Sequence, residues 1–336
     1  MIETKTLSLD QIEDIAFHAL VAVGTSEQNA RPLAVATAAT EADGVASHGL
    51  AYIPIYCEHV DCGKVDGQAQ PVLAQPGPSV ITVDAATGFA HAAIDLGFRK
   101  LTPLARQQGV AVLAINNSYN CGVLGYHTHR LANAGLLGIG FTNAPASIAP
   151  SGGAKPVVGT NPISIAAPGP DGEPLVLIDQ SASTIAKSEV MKHAREDRPI
   201  PVGWALDSDG NPTTDPNVGL RGSMAPSGGY KGVGIAMMVE IMAAAMTGAS
   251  LGIDASPFSG TVGGPPQTGQ FFIAIDPAMT SGGAFSERMG ALIDAVRHQV
   301  GAHLPGDGRR AMRRYAKENG VPVNIATLDR IDAIHK

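Results

Sequence analysis

The sequence contains neither of the two commonest glycine motifs that bind nucleotide phosphates, G-x-G-x-x-G and G-x-x-x-x-G-K-[ST]. Any nucleotide that the protein binds must therefore be held by another kind of phosphate site. The chain also has no uninterrupted run of several Lys and Arg residues, and its formal net charge is −7. Because nucleic-acid-binding surfaces concentrate positive charge, this composition argues against a nucleic-acid partner.

Cysteines and long apolar runs are scarce as well. The three cysteines, Cys57, Cys62 and Cys121, cannot all pair with one another, and their spacing is unlike that of a metal site. We therefore expect reduced thiols in a cytoplasmic protein and no metal centre. The only apolar run near membrane-spanning length, residues 232–251, is interrupted by Glu240, so we interpret it as a buried helix rather than a membrane span. The amino-terminal segment is too charged for a signal peptide.

Aromatic residues make up 4% of the chain and charged residues 16%, whereas Gly and Pro number 40 and 24. This composition is typical of an α/β protein with many tight turns, and the length allows roughly two domains of ~150 residues. Helical spacing near the two chain ends predicts helices at residues 9–23, 27–43, 51–60, 287–300 and 309–319. Between them, apolar runs predict strands at 80–83, 110–115, 136–142, 175–178 and 270–275. Further helices are predicted at 89–107, 125–133, 183–195 and 233–246. This alternation predicts a three-layer α/β core, preceded by a Pro/Gly-rich connector that ends near Pro78.

The segment Gly228-Gly229-Tyr230-Lys231-Gly232 opens the longest apolar helix pattern. Glycine lets the backbone approach a ligand closely, and the first N–H groups of a helix have no partner within it. A lysine adds positive charge to a helix end that is already polarised positive, so the segment has the physical properties of a phosphate site. The competing interpretation is a glycine turn entering a buried helix, with Lys231 solvated.

Ser47 and His48 lie in a polar turn that ends at Gly49, just after a predicted helix. Because histidine titrates near neutral pH, His48 suits general acid–base catalysis, and Ser47 could orient it or relay a proton. An ordinary surface turn is the alternative interpretation.

Two further polar segments follow predicted strands, at the position where open α/β sheets bind ligands. The first is the Ser118-Tyr119-Asn120-Cys121-Gly122 turn, although Asn and Gly at a strand end also suit simple turn chemistry. Because no basic partner is visible for Cys121, we interpret it as an inert small side chain. The second begins at Asp179, which could accept hydrogen bonds from ribose hydroxyls or could cap the following helix.

The turn Gly159-Thr160-Asn161-Pro162 could bind a carboxylate through the Thr160 hydroxyl and the Asn161 amide. Alternatively, these groups could merely cap the turn. The Lys187-Ser188-Glu189 trio lies within a predicted helix, where a solvated face is the default interpretation.

Taken in order along the chain, these segments resemble the malate/L-lactate dehydrogenase family of the second type. Its relatives include Δ1-piperideine-2-carboxylate/Δ1-pyrroline-2-carboxylate reductases, ureidoglycolate dehydrogenases and sulfolactate dehydrogenases. The matching stretches span nearly the whole chain and are residues 43–49, 141–143, 149–150, 159–162, 228–232 and 304–307.

The resemblance implies an NAD(P)-dependent homodimer whose cofactor-binding fold is not the classical one. It implies a helical domain from residues 1–75 together with 287–336, around a central α/β domain of residues 76–286. It further implies a small carboxylate substrate and catalysis by Ser47, His48 and Glu189. The substrate pocket would then be lined by Tyr52, Thr160, Lys187 and Ser188. The cofactor, NADPH or NADH, would contact Asn120, Cys121, Gly122, Val123, Leu124, Asp179, Gln180, Ser181, Tyr230, Lys231 and Arg288.

Two positions depart from the pattern of the family. Tyr52 stands where many members carry an arginine that binds the substrate carboxylate, and Asn120 stands where many carry a second histidine. Alcohol oxidation needs a base for the hydroxyl proton, whereas a protonated iminium needs only hydride. An acidic Glu189 nearby would also favour a cation. The sequence therefore favours reduction of a cyclic imino acid to L-proline or L-pipecolate. The alternatives are a 2-hydroxy-acid dehydrogenase of the malate/L-lactate type and a nucleotide-binding protein without catalysis.

Overall fold

The computed structural model describes residues 3–335. Its helices are α1 Leu9–Ala22, α2 Glu27–Ala42, α3 Ile53–Asp61, α4 Ala90–Gln108, α5 Leu124–Asn133, α6 Lys187–Arg195, α7 Pro216–Arg221, α8 Tyr230–Glu240, α9 Pro277–Ser281, α10 Phe285–Arg297, α11 Asp307–Asn319 and α12 Ile325–Asp332. Its strands are β1 Thr4–Leu7, β2 Val72–Gly77, β3 Val80–Asp84, β4 Val110–Ser118, β5 Leu137–Thr142, β6 Ile163–Ala167, β7 Val176–Gln180, β8 Ala205–Leu206, β9 Pro212–Thr213, β10 Ser223–Met224, β11 Thr268–Ile275 and β12 Val321–Asn324. Short 3₁₀ turns cover Ala46–His48, Leu50–Tyr52 and Ala333–His335, and a π-helical turn, Ile241–Ala245, extends α8.

A seven-stranded sheet in the order β2-β3-β4-β11-β5-β6-β7 forms the centre of the molecule. Its only parallel pair is β3 with β4, and β11 lies antiparallel between β4 and β5. Successive side chains of a strand point to opposite faces, so Phe272 packs with α4 and α5 whereas Phe271 packs with α8 and its π turn. Helices therefore cover both faces of a mixed sheet, which confirms the predicted α/β fold class.

A second hydrophobic core joins residues from the two ends of the chain. Strand β1 pairs antiparallel with β12, with Thr4 opposite Asn324 and Leu7 opposite Val321. The same core contains buried side chains of α1, α2, α3 and α12, among them Leu20, Leu33, Ile53 and Ile331. The predicted domain boundaries stay a prediction, and β2 extends across the one placed at residues 75 and 76.

Four predicted elements need correction. The connector before Pro78 contains β2, and the Pro-rich segment after Asp197 contains β8 and β9, which form a small sheet with β10. The helix predicted from residue 183 begins only at Lys187, because Ser183 is engaged in a β-bridge with Pro226. The helix predicted to end at residue 246 is α-helical only to Glu240, after which it widens into the π turn.

Within residues 3–335, no helix combines the length and apolarity needed to cross a bilayer.

Candidate active site

The turn that carries Ser47 and His48 is fixed by buried carboxylates at the end of α2. The Glu41 carboxylate accepts a hydrogen bond from the Leu50 N–H at 2.8 Å. Gly49 lies so close that an added Cβ would be 2.1 Å from Glu41 Oε1, so only glycine fits there. Within the turn, Ser47 Oγ lies 3.0 Å from Nδ1 of His48, which leaves Nε2 of that ring as the nitrogen for a substrate.

An arginine of α11 holds the same turn from the other side. Arg313 donates from Nε to Asp43 Oδ1 at 2.8 Å and from Nη1 to Glu173 Oε2 at 2.8 Å. Nη1 of Arg313 also lies 3.0 Å from Nε2 of His129. Asp43 is the last residue before the glycine that opens the turn, so this network connects the His48 turn to the carboxyl-terminal part of the chain. Sequence reasoning missed Arg313 because its partners lie more than a hundred positions away.

The electrostatic surroundings of His48 lower its pKa below the usual histidine value. Burial is the largest cause, and the guanidinium of Arg309 acts in the same direction, whereas the carboxylate of Asp179 opposes both. Asp179 and Arg309 form an ion pair with 2.8 Å between Oδ2 and Nη1. The predicted residue Asp179 thus acts electrostatically on the predicted residue His48. The alternative interpretation of Asp179 as a helix cap is wrong, because the residue preceding α6 is Ala186.

An open cleft of ≈ 540 Å³ borders this ion pair. Its walls are residues 177–180 at the end of β7 and, around the start of α11, Pro305, Gly306, Gly308 and Arg309. Gly306, with φ of 96°, approaches β7 so closely that a Cβ would be 3.0 Å from the Leu177 side chain. Gly125 at the start of α5 lies against the ion pair, because an added Cβ would be 2.7 Å from Asp179 Oδ2. Two residues of the 304–307 motif therefore line this cleft, a placement that sequence reasoning did not assign to the motif.

The predicted cofactor segment 120–124 runs directly into α5 and so leads to Gly125 and the ion pair. Val123 and Leu124 are buried, and Asn120 Oδ1 accepts a hydrogen bond from the Gly122 N–H at 2.6 Å. Gly122 has a φ of 67°, a conformation that favours glycine. Burial raises the pKa of the Cys121 thiol to about 12, so the thiol stays protonated and is a poor nucleophile.

Tyr52 and Asn120 meet beside His48. The Tyr52 and His48 rings are parallel within 2°, with their centroids 6.0 Å apart. Asn120 Nδ2 donates to Tyr52 Oη at 3.5 Å, and the phenol in turn donates to the Phe258 carbonyl at 3.3 Å. Burial raises the pKa of Tyr52 to about 12, so the phenol is neutral. The two positions that depart from the family pattern thus form a neutral, hydrogen-bonded pair.

The predicted substrate residues Thr160 and Lys187 flank the segment that follows β7. The Thr160 carbonyl accepts from the Ala182 N–H at 2.8 Å, while Lys187, Ser188 and Glu189 form the first turn of α6 and are half-buried. Burial lowers the pKa of the Lys187 ammonium.

The neighbouring Asn161 is structural rather than ligand-binding. It is fully buried, with φ of 35°, and its amide donates to the Ala236 carbonyl and, at 2.7 Å, to the Glu240 carboxylate. Its Oδ1 accepts from the Ala144 N–H at 3.1 Å. The amide is therefore fully used inside the protein, which rules out the interpretation that it binds a carboxylate.

The start of α8 lies against the same segment after β7. Gly228 and Gly229 both have φ of 65°, and Ser227 donates its N–H to the Ala182 carbonyl at 2.8 Å. Tyr230 and Lys231 are exposed.

Of the other predicted cofactor residues, Gln180 lines the cleft, whereas Ser181 and Arg288 are not among its walls. Gln180 is exposed, and Ser181 Oγ lies 3.0 Å from Ser183 Oγ. The side chain of Arg288 is exposed on α10, where its guanidinium lies 3.8 Å from the Glu287 carboxylate. Residues 3–335 contain no group of three or more His, Cys, Asp or Glu side chains that could hold a metal ion.

Comparisons with known proteins identify the family of the chain. Residues 7–332 match the family model described as malate/L-lactate dehydrogenase. The chain is 43% identical to a (2R)-3-sulfolactate dehydrogenase (NADP(+)) of Chromohalobacter salexigens, over 94% of each protein. It is 36% identical to a Δ1-pyrroline-2-carboxylate reductase of Ancylobacter novellus, over 99% of this chain and 98% of the relative. The crystal structure of Δ1-piperideine-2-carboxylate reductase from Pseudomonas syringae superposes with a TM-score of 0.92 at 35% identity, covering 98% of this chain and all of that one. The predicted family and the predicted enzyme class are confirmed: the chain belongs to the malate/L-lactate dehydrogenase family and is an oxidoreductase.

Proposed function

We propose that the protein is an NAD(P)H-dependent reductase of cyclic imino acids, which converts Δ1-pyrroline-2-carboxylate to L-proline and Δ1-piperideine-2-carboxylate to L-pipecolate. The observation that carries this proposal is the neutral Tyr52–Asn120 pair beside His48. Neither side chain can act as a second acid–base group at neutral pH, and neither provides a cation for a second carboxylate. The site thus suits a monocarboxylate whose reduction needs few proton transfers.

The protonation state of His48 supports the same substrate class. Because its pKa is lowered, His48 is mainly neutral at pH 7 and is a weak proton donor to a developing alkoxide. A cyclic iminium already carries its proton on nitrogen, so only hydride has to be transferred. When bound, NAD(P)H supplies that hydride. The relatives whose names specify Δ1-pyrroline-2-carboxylate or Δ1-piperideine-2-carboxylate add support at 35–36% identity.

The surrounding residues would bind the substrate and the cofactor. His48, oriented by Ser47, would lie on one side of the reacting carbon, and Glu189 would favour the cationic substrate. The Lys187 ammonium, with Thr160 and Ser188, would hold the substrate carboxylate. The cofactor would extend along residues 120–124 and the cleft at Asp179–Ser181. Its phosphates would lie at Tyr230 and Lys231, with Arg288 as a further contact.

A 2-hydroxy-acid dehydrogenase is the second candidate, and the 43% identity to a sulfolactate dehydrogenase favours it. A neutral His48 can accept the hydroxyl proton of such a substrate during oxidation. The identification as an oxidoreductase leaves the third interpretation, a nucleotide-binding protein without catalysis, without support.

Parallel assays distinguish the two candidates. NADPH and NADH consumption would be followed with both cyclic imines, pyruvate, oxaloacetate and 3-sulfopyruvate, and NADP⁺ reduction with (2R)-3-sulfolactate, at one pH. We expect kcat/KM for the imines to exceed that for each keto acid by more than about tenfold, or ~1.4 kcal/mol. Asn120→His should raise hydroxy-acid oxidation more than imine reduction, with Asn120→Gln as the matched control. Turnover of a keto or hydroxy acid at least equal to that of the imines would falsify the imine assignment.

We also propose that the protein is a homodimer. The face of α8 and its π turn exposes Met237, Met238, Ile241 and Met246, an apolar surface that association would cover. Sedimentation equilibrium would show twice the chain mass, and a monomeric mass at micromolar concentration would contradict the proposal.

A further inference from the structure

Residues 246–267 connect the π turn to β11 without forming regular helix or strand. Loops of this length are uncommon in compact domains unless they serve a function. We call this segment the 246–267 loop. Part of it lies over α3, where it contacts the core formed by the two chain ends.

Three side chains near α3 donate hydrogen bonds to three carbonyls of this loop. Lys64 Nζ donates to the Pro257 carbonyl at 2.7 Å, Tyr52 Oη to Phe258 at 3.3 Å, and His59 Nε2 to Gly260 at 3.0 Å. Since Nε2 of His59 is the donor, Nδ1 is the acceptor of its bond from the Tyr119 phenol. The loop segment 257–260 is therefore held at nearly every residue by donors from outside the loop.

Lys64 is the least expected of these donors. Its side chain is fully buried, yet lysine is almost never fully buried unless it is paired. Its hydrogen bond within the described chain goes to the Pro257 carbonyl. Burying an ammonium is costly, so this contact indicates that the position of the 257–260 segment matters.

The ends of the loop are attached to the α/β core. Glu240 Oε1 accepts from the Gly252 N–H at 2.6 Å, and Asn143 Nδ2 donates to the Ser250 carbonyl at 2.9 Å. At the other end, Gln267 Nε2 donates to Asn117 Oδ1 at 3.2 Å. With both ends and the middle attached, the loop forms a preformed wall rather than a freely moving segment.

Tyr52 links this wall to the candidate active site. Its ring lies parallel to His48, its phenol donates to the wall, and it accepts a hydrogen bond from Asn120. The Phe258 ring also packs against Tyr119, with centroids 5.7 Å apart, directly before Asn120. Residues 257–260 thus contact both the Tyr52 phenol and the residue that precedes Asn120.

We infer that Lys64 and His59 are positioning residues, which fix the 257–260 wall and through it the Tyr52 ring that limits the space for the substrate beside His48. This inference rests on the proposed placement of Tyr52 and His48 in the substrate pocket, and not on which substrate is reduced. Lys64 touches neither substrate nor cofactor in this arrangement, so its effect must pass through the Pro257 carbonyl and Tyr52.

The test compares Lys64→Met and Tyr52→Phe with wild type, and uses Lys100→Met, an exposed lysine of α4, as the matched control. For each protein one measures kcat and KM for the five-membered and the six-membered cyclic imine, the Kd for NADPH, and the thermal midpoint. We expect Lys64→Met and Tyr52→Phe each to change the ratio of the two kcat/KM values by roughly fivefold, mainly through KM. The NADPH Kd should stay unchanged in Lys64→Met, and the double variant should show less than the product of the single effects.

A purely structural role for Lys64 would lower the thermal midpoint but leave the substrate ratio at its wild-type value, and that result would overturn the inference. If Lys64→Met does not fold, Tyr52→Phe, which removes one hydroxyl, decides: an unchanged ratio in that variant also overturns it. If the wild-type enzyme reduces keto acids instead, the same ratio is measured for pyruvate and 3-sulfopyruvate. Failure of the imine assignment and failure of this inference therefore give different results.

Discussion

At the scale of single residues, His48 combines a fixed ring orientation with an environment that opposes its positive charge. Ser47 engages Nδ1, and burial together with Arg309 lowers the pKa against the opposing effect of Asp179. The neutral ring is a competent proton acceptor at pH 7 and a weak proton donor. Its contribution should therefore depend on whether the substrate exchanges a proton with the enzyme.

Replacement of His48 tests this dependence. His48→Ala should reduce kcat for hydroxy-acid oxidation and keto-acid reduction by about 10²–10⁴, the usual contribution of a general acid–base group. Reduction of a protonated cyclic imine should fall by less, because the substrate brings its own proton. Steady-state rates with both substrate classes measure the difference, and circular dichroism checks the fold. Retention of more than a tenth of the keto-acid activity would identify another acid–base group, with Glu189 the first to examine.

Single residues also show where prediction from sequence reaches its limit. Ser47, His48 and Asp179 could be singled out because residue type and local turn indicate their chemistry. In the structure Ser47 Oγ contacts the His48 ring, and Asp179 acts on the pKa of His48. Arg309 and Arg313 were missed, since no local pattern reveals that their partners are Asp179 and Asp43, far away along the chain. The role of Asn161 was left open for the same reason, because its partner Glu240 lies in another element.

At the scale of elements, the start of α8 has the features of an anion site. Two glycines with positive φ lead into the helix, and Lys231 is exposed beside the first turn. Lys231→Ala should weaken NAD(P)H binding by about 1.5–3 kcal/mol, the range of a charge-assisted hydrogen bond. Titration of nicotinamide fluorescence gives the Kd, and Lys192→Ala, an exposed lysine of α6, is the matched control. An unchanged Kd in Lys231→Ala, or an equal loss in both variants, would remove this segment from the cofactor site.

Helices and strands differed in how well the sequence predicts them. Most helices were located within a few residues, because their apolar spacing is a local property. Strands β1 and β12 were not predicted, since each is short and pairs with a strand at the other end of the sequence. Strand β2 was not predicted because it carries Pro and Gly, although its partner β3 follows directly. Strand β11 was located, but its central antiparallel position could not be, because pairing order is a property of the whole sheet.

At the scale of the whole molecule, buried histidines make stability depend on pH. Burial lowers the pKa of His91 to about 3 and that of His127 well below its usual value. For His129, burial is the first cause and Arg313 the second, and the pKa falls to about 4. Each folded-state pKa lies below the unfolded value of about 6.5. Between these two values the histidine is protonated in the unfolded chain but not in the folded protein. The folded state is therefore not penalised by these histidines above pH 6.5, and it loses free energy of unfolding as the pH falls towards 3.

We therefore expect the free energy of unfolding to decrease steadily between pH 7 and pH 4.5. Each of these histidines adds up to about 1.4 kcal/mol per pH unit to the slope. Urea unfolding at several pH values measures the slope. His91→Gln should reduce this slope, whereas His298→Gln, at the exposed position just after α10, should not reduce it. A stability that stays constant or rises over this interval would contradict the expectation.

The pairing of β1 with β12 has a consequence for the order in which the protein matures. The core that supports the Ser47–His48 turn contains Leu7 and Leu20, which emerge from the ribosome about 300 residues before its other members Val321 and Ile331, counted from their positions in the chain. The apolar faces of helices α1 and α2 are fully covered only after those later residues have been made. The support of the Ser47–His48 turn is thus complete only after Val321 and Ile331 have been made, long after the turn itself.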